Sequence, residues 1–144
     1  MDDLITINRP LKEVFDYLVD HSKDKYWKPF VTESIKITSE PIGVGARFKI
    51  TTTVWGYRHS GEVEIVEYDP SHAFAYRAHD PILSFVARHI LSETPSGTQI
   101  RGQVEFHANG LWKLFVPLFS IFIRSQSKQT FNHLKKIMEQ TTLL

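Results

Sequence analysis

No cysteine occurs in the 144 residues, so a disulfide framework, a thiolate metal site and a cysteine nucleophile are all excluded. Neither sign of charge dominates: 17 basic against 16 acidic residues leave a net charge of +1. That balance supplies no general field for nucleic acid, and no nucleic-acid partner is expected. Long hydrophobic runs are missing as well. The longest apolar stretch, residues 111–123, is interrupted by Lys113, Pro117 and Ser120. It is shorter than the roughly 20 apolar residues of a spanning helix. The first ten residues, MDDLITINRP, carry two aspartates and have neither a basic nor an apolar leader region. No signal peptide is expected, and the expected location is cytoplasmic. No glycine-rich phosphate loop stands out, because Gly43-Val44-Gly45 precedes a strand where a dinucleotide fingerprint opens a helix. The histidines His21, His59, His72, His79, His89, His107 and His133 show no HExxH spacing. Neither a metal site nor a cofactor is expected from them.

What is present is an ordinary globular composition, 42% hydrophobic and 23% charged. A chain of this length fits one domain, 1–144, and buries roughly 68–70% of the surface its unfolded form exposes. Ile5 and Ile7 alternate with polar neighbours, as in a short first strand. Asn8 is a candidate N-cap with Pro10 in the first turn, and Leu11, Val14, Phe15 and Leu18 recur at helical spacing over 9–20. The polar and aromatic segment 21–30 holds one short helix, ended by Pro29. Strands follow at 31–38, from Ala46, around Val63 and Ile65, around Phe74 and Tyr76, over 82–94, and through Ile100, Gly102, Val104 and Phe106. Turn residues separate them: Pro41 to Gly45, Gly56, Asp69-Pro70-Ser71, Asp80-Pro81, Pro95-Ser96-Gly97 and Asn109-Gly110.

Residues 111–140 read as one long helix, kinked or restarted at Pro117. Its second half is amphipathic, with Phe131, Leu134, Ile137 and Met138 on one side. The outer sheet face carries Glu62, Glu64, Arg101, Gln103 and Glu105, and the inner face is aliphatic and aromatic. The C-terminal helix is the one long amphipathic element left to cover that inner face. The fold class is therefore α+β.

The order of elements, together with Asn8-Arg9-Pro10-Leu11, Trp27-Lys28-Pro29, Pro41-Ile42-Gly43-Val44-Gly45 and Ser96-Gly97-Thr98-Gln99-Ile100, resembles the START-like (helix-grip, SRPBCC) superfamily. Within it the chain looks most like the polyketide cyclase/dehydrase and lipid-transport branch. The resemblance implies a curved seven-stranded antiparallel sheet wrapped around the C-terminal helix, with two short helices between the first two strands. It also implies binding, and transport, of an apolar small molecule such as a lipid, quinone or aromatic compound. A cyclase- or dehydratase-like enzyme is the alternative, and an interaction module using the apolar start of the last helix is another.

Phe48, Ile50, Thr52, Val54, Val63, Ile65, Phe74, Tyr76, Ile100, Val104 and Phe106 share the inward face and are the candidate cavity wall. The same aromatics would serve equally as a packed core. The hydroxyls of Thr52 and Tyr76 would orient a ligand or bond to backbone. The facing of 82–94 stays open between a set containing His89 and a set containing Arg88. An inward His89 is an acid or base candidate. Asp16, Asp20 and Asp24 read as solvated, and Trp27 with Pro29 as an anchor for the short helix over the cavity mouth. Phe119, Phe122 and Ile123 complete the ligand-binding set from the last helix. One helix face cannot bury every apolar residue of 111–123 against one sheet. That surplus raises a homodimer contact or a peripheral membrane contact through 111–123 beside the plain reading that early helices and loops cover it.

Overall fold

The computed structural model describes residues 2–54, 56–79, 83–108 and 110–140, with side chains throughout except at 2, 3, 54, 83, 108, 112, 115, 116, 119, 120 and 122–127. The turns expected at Asp80-Pro81 and at Asn109 lie outside the described residues. Strand β1 (Asp2–Ile7) leads into helix α1 (Leu11–Val19), a 3-10 turn (His21–Lys23) and the one-turn helix α2 (Asp24–Trp27). Strands β2 (Val31–Lys36), β3 (Arg47–Val54), β4 (Tyr57–Asp69), β5 (Ala73–His79), β6 (Leu83–Thr94) and β7 (Gly97–Ala108) follow. A 3-10 turn (Gly110–Phe115) then feeds helix α3 (Val116–Gln140). The strands form one seven-stranded antiparallel sheet in the order β1-β7-β6-β5-β4-β3-β2, which is the helix-grip arrangement.

Helix α1 buries Val14, Phe15, Leu18 and Val19, the stripe its spacing sets. Its start differs from expectation. Pro10 occupies the cap position and no side chain caps the helix, so Asn8 is not its N-cap. The backbone N–H of Asn8 instead donates to the Glu139 carboxylate at 3.2 Å, tying the end of β1 to the end of α3. Two further bonds do the same work: Arg9 Nε donates to the Met138 carbonyl at 2.7 Å, and Lys135 Nζ to the Thr6 carbonyl at 2.6 Å. Phe131, Leu134 and Met138 are buried below them. The second half of α3 therefore docks on β1, β7 and α2. Pro117 is the second residue of α3, so it opens a fresh helix after the 3-10 turn and breaks no helical hydrogen bond. Leu111, Leu114, Leu118 and Ile121 are exposed. Among the described residues no helix is long and apolar enough to cross a membrane.

The facing of β6 is settled by its pairing, which runs from Leu83↔Ala108 to Thr94↔Gly97 without a register shift. Ala87, His89 and Leu91 are buried, and Arg88 turns to the outer face, where its Nε meets Glu67 Oε1 at 2.7 Å. The β6–β7 turn presses on β1. A Cβ added to Gly97, whose φ is +131°, would sit 2.1 Å from the Ile7 carbonyl oxygen and 2.8 Å from Asn8 Cα. Beside it the Thr98 hydroxyl donates to the Arg9 carbonyl at 2.8 Å. Both neighbours are backbone and neither can step aside, so Gly97→Ala lowers unfolding free energy by about 2–4 kcal/mol. Urea titration of the variant checks this, and an unchanged midpoint contradicts the close approach.

Candidate functional site: a cavity with a buried ion pair at one end

The segment from His21 to Lys28 is short, yet it places three titratable side chains together. Spacings of three and four residues put His21 and Lys28 on the side of Asp24 where each can reach it. His21 Nδ1 lies 3.0 Å from Asp24 Oδ2, and Lys28 Nζ donates to the same oxygen at 3.0 Å. His21 and Asp24 are 1% and 2% exposed. Asp24, expected to be solvated, is instead among the most buried polar residues. A carboxylate taken out of water needs charge and hydrogen-bond compensation, and the two neighbours supply it.

Burial by itself pushes the Asp24 carboxyl up; the Lys28 ammonium and then His21 outweigh it and hold the group below the usual aspartate value. Burial likewise pushes Lys28 down, and Asp24 followed by Tyr76 more than reverses that, so Lys28 is held above the usual lysine value and stays protonated. The His21 ring is packed edge-on by Phe48, Phe74 and Tyr76 at centroid distances of 5.4, 6.1 and 4.3 Å. Trp27 anchors α2 from the other side. Its ring lies 5.9 Å from that of Phe131, and its carbonyl is 3.0 Å from His133 Nδ1 on α3.

Between α2 and the concave face of the sheet lies a cavity of about 280 Å³. Helix α2 contributes Asp24 and the following Lys28, β2 gives Val31, and β3 gives Ile50 and Thr52. Strand β4 brings His59, Gly61, Glu62 and Val63, β5 brings Tyr76, Ala78 and His79, and β6 brings Phe85. The wall is mainly aliphatic and aromatic; the Asp24–Lys28 pair stands at the α2 end, and Glu62 adds a carboxylate from β4.

Of the residues singled out from the sequence, Ile50, Thr52, Val63 and Tyr76 line this cavity. Phe48, Ile65, Phe74 and Ile100 are buried in the core that backs the wall, and His89 is buried beside Phe74. Val104 is partly buried against that core, and Phe106 lies with its ring 5.8 Å from that of Phe85. The side chains of Val54, Phe119, Phe122 and Ile123 lie outside the described residues. The sequence reading passed over Asp24, Lys28, His59 and His79. The spacing of His21, Asp24 and Lys28 was the available signal for the first two. Strand parity was the signal for His59, which stands four residues before Val63; His79, three after Tyr76, falls on the opposite face by parity and had no such signal.

His89 faces inward and is buried, but it is not poised for proton transfer. Its ring stacks on Phe74 at 4.9 Å with an interplanar angle of 12°. Nδ1 has no hydrogen-bond partner among the described residues. Burial, reinforced by Lys28 and His21, pushes its pKa down to about 3. The imidazole is therefore neutral at neutral pH.

A sequence-family model described as polyketide cyclase / dehydrase and lipid transport matches residues 2–139. No curated protein sequence matches the chain. Among solved structures the chain is similar to Ara h 8.0201, at 17% identity over 98% of this chain and 97% of that one, with a TM-score of 0.78. It is similar to protein NE0264 from Nitrosomonas europaea, at 16% identity over 97% and 94%, with a TM-score of 0.75. The di-domain ARO/CYC BexL from the BE-7585A biosynthetic pathway matches at 18% identity over 94% of this chain and 48% of that one, with a TM-score of 0.76. At these identities the likeness is one of fold.

The His89 environment fixes a pH dependence. Its folded pKa of about 3 lies below the ordinary histidine value of ~6.5. Between those values the unfolded chain binds a proton that the folded chain does not. Stability accordingly falls as pH drops through that window, with a contribution of about 1.4 kcal/mol per pH unit from this one site. His89→Leu removes the contribution. Urea titrations from neutral pH into the acid range then give a slope shallower by one proton in the variant, and parallel slopes contradict the assignment.

Proposed function

The chain belongs to the polyketide cyclase/dehydrase and lipid-transport family, and from that premise we propose that it binds one small, largely apolar molecule in the cavity between α2 and the sheet. The observation that carries the reading is the cavity itself. Its volume of about 280 Å³ is close to the lower end of small-molecule sites, which run ~300–1,000 Å³. A space of that size suits a molecule of one or two fused rings better than an extended lipid chain. Val31, Ile50, Val63, Tyr76, Ala78 and Phe85 give it a wall whose contact with an apolar ligand releases water from both surfaces. The Asp24–Lys28 pair sets a polar group at the α2 end of this wall, and polar groups placed in an apolar site fix a ligand's orientation while apolar contact supplies affinity.

The cyclase-like reading needs an inward acid or base, and of its candidates Tyr76, Arg88 and His89 only Tyr76 lines the cavity. Arg88 pairs with Glu67 on the outer face, and His89 is neutral within an aromatic stack. Neither lines the cavity.

A neutral environment-sensitive naphthalene dye tests the binding reading. It should bind saturably at one site, with the blue-shifted emission of an apolar surrounding. Ala78 lies on the cavity wall, and Ala78→Phe should fill part of the space and weaken dye binding by about tenfold, the loss that accompanies ~1.4 kcal/mol of displaced contact. Far-ultraviolet circular dichroism checks that the variant is folded. Equal affinity in the folded variant and the parent contradicts this location.

A further inference from the structure

The cavity is not uniformly apolar, and its polar end has a direction. Lys28 lines the cavity and its side chain retains 24% exposure, while the Asp24 side chain behind it retains 2%. The His21 side chain, behind Asp24 again, is also 2% exposed. Of the three side chains Lys28 is therefore the most accessible, and the carboxylate that compensates it is the more deeply buried partner. An ammonium carries three N–H donors, and Asp24 Oδ2 takes one at 3.0 Å. The aromatic faces of Trp27 and Tyr76 lie 5.0 and 5.4 Å from Nζ and brace the side chain from two directions. Such bracing confines Lys28 to the cavity end and lowers the entropy lost when it engages a ligand.

From this geometry we infer that the cavity ligand carries a carbonyl oxygen, and that Lys28 Nζ donates a charge-assisted hydrogen bond to it while the hydrocarbon body rests against the sheet. The inference rests on the binding reading above and names the ligand class for that site. An acceptor is required because a lysine ammonium has only donors. A neutral acceptor is favoured over an anion because the Lys28 charge is already balanced by Asp24 3.0 Å away. An anionic ligand would bring an uncompensated negative charge into a mainly apolar space beside a buried carboxylate. A ring ketone brings no net charge, and its dipole lies along the direction the ion pair sets. Lys28 is then the residue that separates ketones from hydrocarbons of the same shape.

The test compares 1-tetralone with tetralin, two molecules of nearly equal shape that differ by one carbonyl, and adds 1-naphthoate as an anion. Affinities come from displacement of the naphthalene dye or from calorimetry. The infrared carbonyl stretch of bound tetralone reports the hydrogen bond directly. In the parent protein the stretch should move to lower frequency than in an apolar solvent, and naphthoate should bind more weakly than tetralone. Lys28→Met should reduce the tetralone-over-tetralin preference by about tenfold or more, the ratio given by a charge-assisted hydrogen bond of ordinary strength. It should also abolish the frequency shift.

Removing Lys28 alone strands the Asp24 carboxylate, so the variant Asp24→Asn/Lys28→Met, which removes both charges, is made alongside. Tight tetralin binding with no tetralone preference in the parent overturns the carbonyl assignment and leaves the cavity reading standing. A preference or frequency shift that survives in either folded variant overturns the role of Lys28. Binding of neither probe removes the cavity reading and this inference together.

Discussion

A carboxylate buried to 2% exposure governs how this fold is assembled. Left alone in an apolar interior, the Asp24 charge would cost several kcal/mol, enough to unfold a domain of ordinary stability. His21 and Lys28 offset part of that penalty by meeting Oδ2 at 3.0 Å, while Oδ1 is buried without a hydrogen-bond partner among the described residues. Satisfying that geometry fixes the segment 21–28, which is too short to be stable as a helix by its own propensity. Once fixed, the segment carries Trp27 into contact with Phe131 and presents its carbonyl to His133. The docking of α3 on the rest of the molecule thus runs partly through a turn that one ion pair holds in place.

The same constraint shapes the cavity. Strands β3 to β6 supply an apolar wall by simple alternation, and α2 closes one end of it with a charge pair turned so that the cation is the reachable half. Against burial, which pushes Lys28 down, the Asp24 carboxylate followed by Tyr76 prevails and keeps Lys28 protonated, and its positive charge in turn helps to keep His89 neutral. The two effects reinforce each other. A neutral His89 can stack on Phe74 within the core without a counter-ion, while the single retained cation faces the space where a ligand would sit. Stability and the proposed binding are joined at this point, because the same small group of side chains sets the core's charge state and faces the cavity.

The fold was legible in the sequence wherever periodicity is strong. Ile100 to Phe106 alternates without interruption, and β7 pairs along its whole length with β6. The amphipathic stripes of α1 and of the second half of α3 gave their buried faces directly. β6 was ambiguous because both of its faces carry apolar residues, so no rule of alternation separates them. Its facing is set instead by pairing with β5 and β7, which places Ala87 opposite Tyr76 and Val104. The site was less legible. Asp24 read as solvated because charged residues in short polar segments usually are, and only the three-dimensional approach of the sheet buries it. Ile50, Thr52, Val63 and Tyr76 were accessible by parity, whereas Lys28 and the turn-flanking His59 and His79 depend on how strongly the sheet curves toward α2.

Chemical-shift mapping by nuclear magnetic resonance tests the central claim most directly, with a small neutral ring compound titrated into uniformly labelled protein. Saturable shifts concentrated at Lys28, Ile50, Val63, Tyr76, Ala78 and Phe85 are the predicted result, since these residues surround the cavity from α2 to β6. Shifts confined to the exposed start of α3 around Leu111, Leu114, Leu118 and Ile121, or no saturable shifts at all, would contradict it.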